Sequence, residues 1–351
     1  MREFGSTFEI DCLSDKYFEN ITSFLPYWAF TRSGREAIGL LLQGKTSGIA
    51  LLPAYCCWSM TSPFETAGWK VQYYPINKDL SANLSELKVL LDKLHPQLVM
   101  VVDYFGFTPT NKTVELIKDF DKDVIVLEDF TQSLFNFNKR FNPKVDCYVA
   151  SVRKSIGVPD GGVVLSNLQL NVKSLSSAKT LFVEKHIEAG VLKKMYSYSF
   201  DQTLKNTFRQ LQSEAGDEIK KDYNLYEISR EARTILANSN VRSIKYARES
   251  NYKHLYNLLC NNPHFDIMFK PQEELTPFMF VVRSSKRDIL QQALAKERVY
   301  CQVIWPIKEA AKEVCSVAKE MEKSMLAIPI DQRYDYYDIE EMGNRINSIN
   351  L

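Results

Sequence analysis

Six short apolar runs constrain this chain more than any other feature of it. They are SGIALLP (47–53), WKVQYYPI (69–76), QLVMVVDYF (97–105), DVIVLEDF (123–130), DCYVASV (146–152) and GGVVLSN (161–167). Each has the length of a strand and lacks the polar alternation of a sheet with one wet face, so each reads as a strand buried on both faces. Between most of them lie stretches with apolar residues at helical spacing: REAIGLLLQ, SMTSPFETA, LSELKVLLDKL and TVELIKDF. Strand–helix alternation of this kind predicts an α/β fold with a mainly parallel sheet flanked by helices.

After about residue 170 the texture changes to long charged helices, as in the run from Asp217 to Leu259. The C-terminal part alternates again, with FMFVVRS, VYCQVIWP and SMLAIPI as expected strands of a smaller α+β domain. The expected division is a large domain over 1–240, with an N-terminal arm, and a small domain over 241–351.

One string invites a different reading. Gly39-x-x-x-x-Gly44-Lys45-Thr46 matches the phosphate-binding P-loop letter for letter. A working P-loop leaves a strand, turns through its glycines and enters a helix at Lys-Ser/Thr. Here the order is reversed: Ala37, Ile38, Leu41 and Leu42 repeat at helical spacing, and Gly44 reads as the stop before the strand IALL. Three consecutive leucines also favour burial over a phosphate cradle. The nucleotide-hydrolase reading is set aside.

Charge narrows the partners. With 44 basic and 43 acidic residues the net charge is +1, which offers no electrostatic basis for binding nucleic acid or an anionic membrane. No apolar run approaches the roughly 18 residues of a membrane helix. The stretch MREFGSTFEIDCLSD lacks an apolar signal region, so a cytoplasmic location is expected. The seven cysteines include no Cys-x-x-Cys pair and the four histidines no metal spacing, so reduced thiols and no metal site are expected.

Ser33-Gly34-Arg35-Glu36 reads as a capping box at a helix start, where glycine leaves the N–H groups open and the helix dipole favours an anion. In parallel sheets ligands gather at the carboxyl ends of strands. Those ends read Pro53-Ala54-Tyr55-Cys56-Cys57-Trp58, Asp103-Tyr104-Phe105-Gly106, Glu128-Asp129-Phe130-Thr131-Gln132 and Ser151-Val152-Arg153-Lys154, with a Pro159-Asp160-Gly161-Gly162 turn behind them. An acid, a lysine, an amide and aromatics on one rim suit a cofactor with an anionic group, a basic ring nitrogen and an aldehyde.

These segments resemble the DegT/DnrJ/StrS family of sugar aminotransferases. The resemblance spans most of the chain: SGREA, LLPAYCC, DYFGFTP, VIVLEDFTQSL, ASVRKSIGVPDGGVVLS and AIPIDQRY. It implies fold type I of the pyridoxal 5′-phosphate (PLP) enzymes, with a seven-stranded sheet, and a homodimer. It also implies transfer of an amino group from glutamate or glutamine to a keto-sugar, nucleotide-linked in many members, for polysaccharide or secondary-metabolite synthesis. By the same resemblance Lys154 matches the Schiff-base lysine and proton shuttle, and Asp129 the partner of the pyridinium nitrogen. Gly34 and Arg35 match the backbone segment that binds the cofactor phosphate. Gln132 matches a residue beside the ring or bonds an ordinary loop backbone, and Ser151 matches an assisting hydroxyl or is a buried strand-end serine. Trp58 either stacks on the cofactor or packs helix on sheet, Cys57 standing where the family places its aromatic. Asn224 resembles a residue donated by the partner subunit, or lies on a helix surface. Ser151 and Lys154 stand closer together than the family's pattern, and Arg153 before the lysine is uncommon. Two alternatives stay open: an eliminase or dehydratase on the same scaffold, against which a lysine at 154 speaks, and a non-catalytic regulatory protein that binds PLP.

Overall fold

The structure is a computed structural model and describes residues 14–177 and 180–350. Cys12 and residues 1–13 of the amino-terminal stretch used to expect a cytoplasmic location lie outside the described residues. Seven strands form the main sheet: β1 (Tyr27–Thr31), β2 (Ile49–Pro53), β3 (Lys70–Tyr74), β4 (Leu98–Val102), β5 (Ile125–Asp129), β6 (Cys147–Ala150) and β7 (Gly162–Ser166). Their order is β1-β7-β6-β5-β4-β2-β3. From β3 to β6 all neighbours are parallel. Strand β7 runs antiparallel to β6, and β1 antiparallel to β7, so β1 points the same way as the parallel set.

All six expected strands of the sheet form where the apolar runs predict them. The central ones are buried throughout: Leu98, Val99 and Met100 of β4 are fully enclosed. Enclosing each such side chain stabilises the fold by about 1.5–3 kcal/mol, which is why a parallel sheet between helices needs continuous apolar runs. The helices Gly34–Leu42, Trp58–Thr66, Leu84–Leu94 and Asn111–Phe120 occupy the expected segments. The P-loop string is a helix C-terminus followed by a strand, with Gly44 at φ 74° ending the turn.

A second sheet has three antiparallel strands, β8 (Asp266–Ile267), β9 (Phe280–Arg283) and β10 (Met325–Ile328), in the order β10-β9-β8. Here two expectations are corrected. VYCQVIWP is not a strand: its only pairing is a single bridge from Gln302 to Ala327, although Val299, Cys301 and Ile304 are buried. Its apolar run reports burial, not ladder bonding. The long helical run from Asp217 is interrupted, because residues 222–229 are extended and pair at Glu227 with Thr31 and at Tyr226 with Ser176. The Asp222 carboxylate accepts from the N–H of Asn224, and Ser229 caps the next helix, Arg230–Ala237, by accepting from Ala232. Asn224 therefore lies on this extended connection and not on a helix surface.

One glycine is required by close approach. A Cβ on Gly162 would lie 2.3 Å from the carbonyl carbon of Ser33 and 2.6 Å from the nitrogen of Gly34. Both obstacles are backbone and cannot rotate away. Gly162→Ala is expected to destabilise the fold by about 1–3 kcal/mol, read as a lowered urea midpoint with unchanged slope.

Candidate active site

The rim at the carboxyl ends of the parallel strands collects the functional side chains, and strand direction explains why. Because β1 runs with the parallel set, its end delivers Ser33 and the helix Gly34–Leu42 to the same rim as Asp129 at the end of β5 and Ser151 just past β6. Antiparallel β7 starts at that rim with Gly162, whose missing side chain lets Ser33 and Gly34 settle against it.

Ser33 is extended and its hydroxyl accepts from the N–H of Glu36 at 3.3 Å, the expected N-cap. The reciprocal half of the expected box is absent, since the Glu36 carboxylate turns to Arg32 Nε at 2.8 Å and to the N–H of Tyr226 at 3.3 Å. Arg32 is fully buried, reaches Asp222 at 3.0 Å and lies 4.1 Å from the Tyr226 ring centroid. This buried cluster fixes the first turn of the helix and leaves the N–H groups of Gly34 and Arg35 facing the rim without helical acceptors.

Gly34, Arg35, Trp58, Asp129, Ser151 and Lys154 all line one cavity of about 140 Å³. A Cβ at Gly34 would stand 3.1 Å from the Cβ and N of Ser151, so the glycine keeps open a cradle that a side chain would fill. The Arg35 guanidinium bonds, through Nη2, the carbonyls of Ile219 and, at 2.9 Å, Asp222, lies 5.5 Å from the Trp58 ring centroid, and has its Nη1 buried without a partner among the described residues. Trp58 is 39% exposed, so its ring is not part of the helix–sheet core. Cys56 and Cys57 are buried, as expected of small apolar side chains.

Asp129 is 9% exposed, and its carboxylate accepts from the N–H of Thr131 at 2.9 Å. Burial raises its pKa above the ordinary aspartate value, while the Thr131 bonds and the charge of Lys154 pull it back. The N–H of Ser151 is held by Thr131 Oγ1 at 2.9 Å, so one threonine fixes the strand ends that carry both groups. Lys154 ends the short turn Val152–Lys154, is exposed, and its Nζ lies 6.0 Å from the Trp305 ring centroid.

Lys154 and Arg153 also line a second, larger cavity of about 410 Å³, together with Gln132, Lys193, Trp305 and Arg333. Gln132 Oε1 accepts from the N–H of Phe105 at 2.9 Å, the ordinary loop bond considered from sequence, yet the side chain still borders this space. Arg333 is paired by two bonds to Asp331, at 2.6 and 2.7 Å. Arg153 has only His186 within reach, at 3.5 Å, among the described residues. Sequence singled out Arg153 as unusual without a role, and did not point to Lys193. Nothing in its helix, Leu181–Ser199, marks Lys193 from its charged neighbours.

Behind the rim two carboxyls are buried with little compensation. Burial raises Asp103 to about 7 and Glu128 to about 8, Arg140 drawing the first down and the Asp103 charge pushing the second up. Both bind protons in the folded chain that the unfolded chain has already released, so their stabilisation is complete below the ordinary carboxylate range and is lost as pH rises through 7 to 8. Unfolding free energy is expected to fall between about pH 5 and about pH 8, and Glu128→Gln should flatten that slope in urea titrations.

Against known proteins, no family model matches the sequence and no curated protein matches it. Among solved structures, the chain is similar to a DegT DnrJ EryC1 StrS aminotransferase from Brucella abortus, at 14% identity and TM-score 0.63, with 95% of this chain and 90% of that one covered. It is similar to Helicobacter pylori PseC, an aminotransferase involved in the biosynthesis of pseudoaminic acid, at 13% identity and TM-score 0.65, covering 96% and 92%. DesV of S. venezuelae, solved in complex with a ketimine intermediate, matches at 13% identity and TM-score 0.66, covering 96% and 89%. At this identity the likeness is one of fold, and the fold is that of the sugar aminotransferases.

Proposed function

We propose that this protein is a PLP-dependent aminotransferase, carrying an amino group from glutamate or glutamine to a keto-sugar, nucleotide-linked, and working as a homodimer. The observation that supports this most is convergence: four separate stretches of chain bring Gly34, Arg35, Trp58, Asp129, Ser151 and Lys154 to one cavity, and Lys154 stands where that cavity meets the larger one. The solved relatives of the same fold include PLP and PMP forms of a putative sugar aminotransferase from Streptococcus pneumoniae.

The residues present fit the cofactor. The Gly34 cradle, the free N–H groups of the first helical turn and the Ser151 hydroxyl suit its phosphate. The buried Asp129 carboxylate, on which Lys154 is the cation that acts among the described residues, gains a partner in a protonated ring nitrogen. Trp58 lines the smaller cavity, and Gln132 lines the larger one with Lys154. When bound, PLP supplies an aldehyde for the amino group and a ring that holds the electron pair left on the donor when its proton departs.

The chain's own groups do the rest. Lys154 would hold the cofactor through Nζ, and its freed amine would carry the proton between the donor's α-carbon and the carbon that was the cofactor's aldehyde. Asp129 keeps the proton on the ring nitrogen. Arg153 and Lys193 meet anionic groups of donor and acceptor, and Trp305 offers a flat apolar face to a sugar ring. The reading is tested by mixing PLP-loaded protein with glutamate. Stoichiometric release of 2-oxoglutarate supports it, and loaded protein that releases none from any amino donor sinks it.

A further inference from the structure

Arg248 places a buried cation against the loop that carries Lys154, and none of the chemistry above uses it. It projects from the helix Val241–Leu259 and is 2% exposed. Nε donates to Gln332 Oε1 at 3.0 Å, Nη1 to the carbonyl of Phe278 at 2.8 Å, and Nη2 to the carbonyl of Ser155 at 3.2 Å. Gln332 closes the arrangement, its Nε2 donating to the same Ser155 oxygen at 3.0 Å. Ser155 follows Lys154 directly, and Phe278 leads into β9.

Three of the five guanidinium N–H groups are bonded to two backbone carbonyls and an amide, so although the residue borders the larger cavity its side chain is anchored to the protein. Burial lowers its pKa to about 10, so it remains charged near neutrality, with Asp331 acting on it at longer range. The turn's start is fixed by the N–H of Val152 on the Gly161 carbonyl at 3.0 Å and its end by the N–H of Ser155 on Val152 at 2.9 Å, and Lys154 between them is held more loosely. Val152–Lys154 is a single short turn, the N–H of Lys154 reaches Ser151 only at 3.3 Å, and the lysine side chain is exposed.

We infer that Arg248, with Gln332, is a positioning clamp: by gripping the Ser155 carbonyl from the chain entering β9 and the segment after β10, it sets where Lys154 presents Nζ between the two cavities. Proton transfer is sensitive to such placement, and misplacement of about 1 Å costs on the order of 100-fold in rate. Lysine cannot replace this arginine, because one ammonium does not span three acceptors lying in the guanidinium plane. The inference rests on the reading of Lys154 as the residue that binds PLP.

The test compares wild-type protein with Arg248→Lys and Gln332→Leu, each saturated with PLP. Expected for both are covalent loading at Lys154 and a half-saturating glutamate concentration, in the single-turnover half-reaction, within about threefold of wild type. The single-turnover rate of 2-oxoglutarate release at saturating glutamate should fall about 10–100-fold for Arg248→Lys, and by less for Gln332→Leu. If Arg248→Lys does not fold, Gln332→Leu decides alone, since it keeps the cation and removes the second donor to Ser155 together with the acceptor of Arg248 Nε. A lowered melting temperature with the half-reaction rate unchanged would make the contact merely structural and overturn the clamp. Wild-type protein that itself fails to load PLP at Lys154 overturns the function on which the clamp depends, and the clamp with it. Loaded wild type matched in half-reaction rate by both variants overturns the clamp alone.

Discussion

Lys154→Ala is expected to lose covalent attachment of PLP and to reduce amino transfer from glutamate by at least about 10³-fold. Two roles vanish together: the amine that holds the cofactor, and the base that moves a proton at the donor's α-carbon, the latter alone contributing about 10²–10⁴-fold. The substitution should not unfold the protein. Lys154 is exposed, belongs to a turn rather than the core, and forms no ion pair among the described residues, its nearest notable neighbour being the Trp305 ring at 6.0 Å. An unchanged melting temperature with no visible absorbance band is the predicted pair of results. A variant that keeps both the band and the activity would move the role to another lysine.

The second large effect concerns Asp129. Asp129→Asn should still load PLP through Lys154 but lose about 10²–10³-fold in kcat, because a neutral amide does not keep the ring nitrogen protonated when charge develops on it. The Thr131 N–H bond at 2.9 Å can pass to the amide oxygen, so the fold should survive. In the apo protein, burial is the largest influence on this carboxyl and opposes its charge, so removing the charge costs the empty fold little. A drop in stability without a drop in kcat would argue that Asp129 is a structural acid.

How much of this was legible in the sequence follows from what each residue's environment demands locally. The placement of Asp129, Ser151 and Lys154 on one rim was readable because they end, or closely follow, strands buried on both faces. The helix carrying Gly34 was readable because Ser33 caps it. Strand β1 was not: Tyr27 and Trp28 are exposed and the run is short, so YWAFT carries neither continuous burial nor clean alternation. Yet β1 aims the Gly34 helix at the rim. The opposite error came at VYCQVIWP, where buried apolar residues signalled a strand and the backbone supplied only one bridge. The Arg248 clamp joins residues about ninety positions apart through backbone carbonyls, which no side-chain pattern records. Arg35 was legible in place but not in manner, since nothing local shows that its guanidinium is committed to Ile219 and Asp222.

The central claim is that Lys154 binds PLP in the cavity framed by Gly34 and Asp129, and one measurement tests it most directly. Purified protein is incubated with PLP, its absorption spectrum is recorded, and the mixture is reduced with borohydride, digested and mapped by mass spectrometry. The account predicts a visible band that disappears on reduction, with the pyridoxyl group on the peptide containing Lys154 and on no other. A colourless protein, or a label scattered over exposed lysines with Lys154 bare, would contradict it.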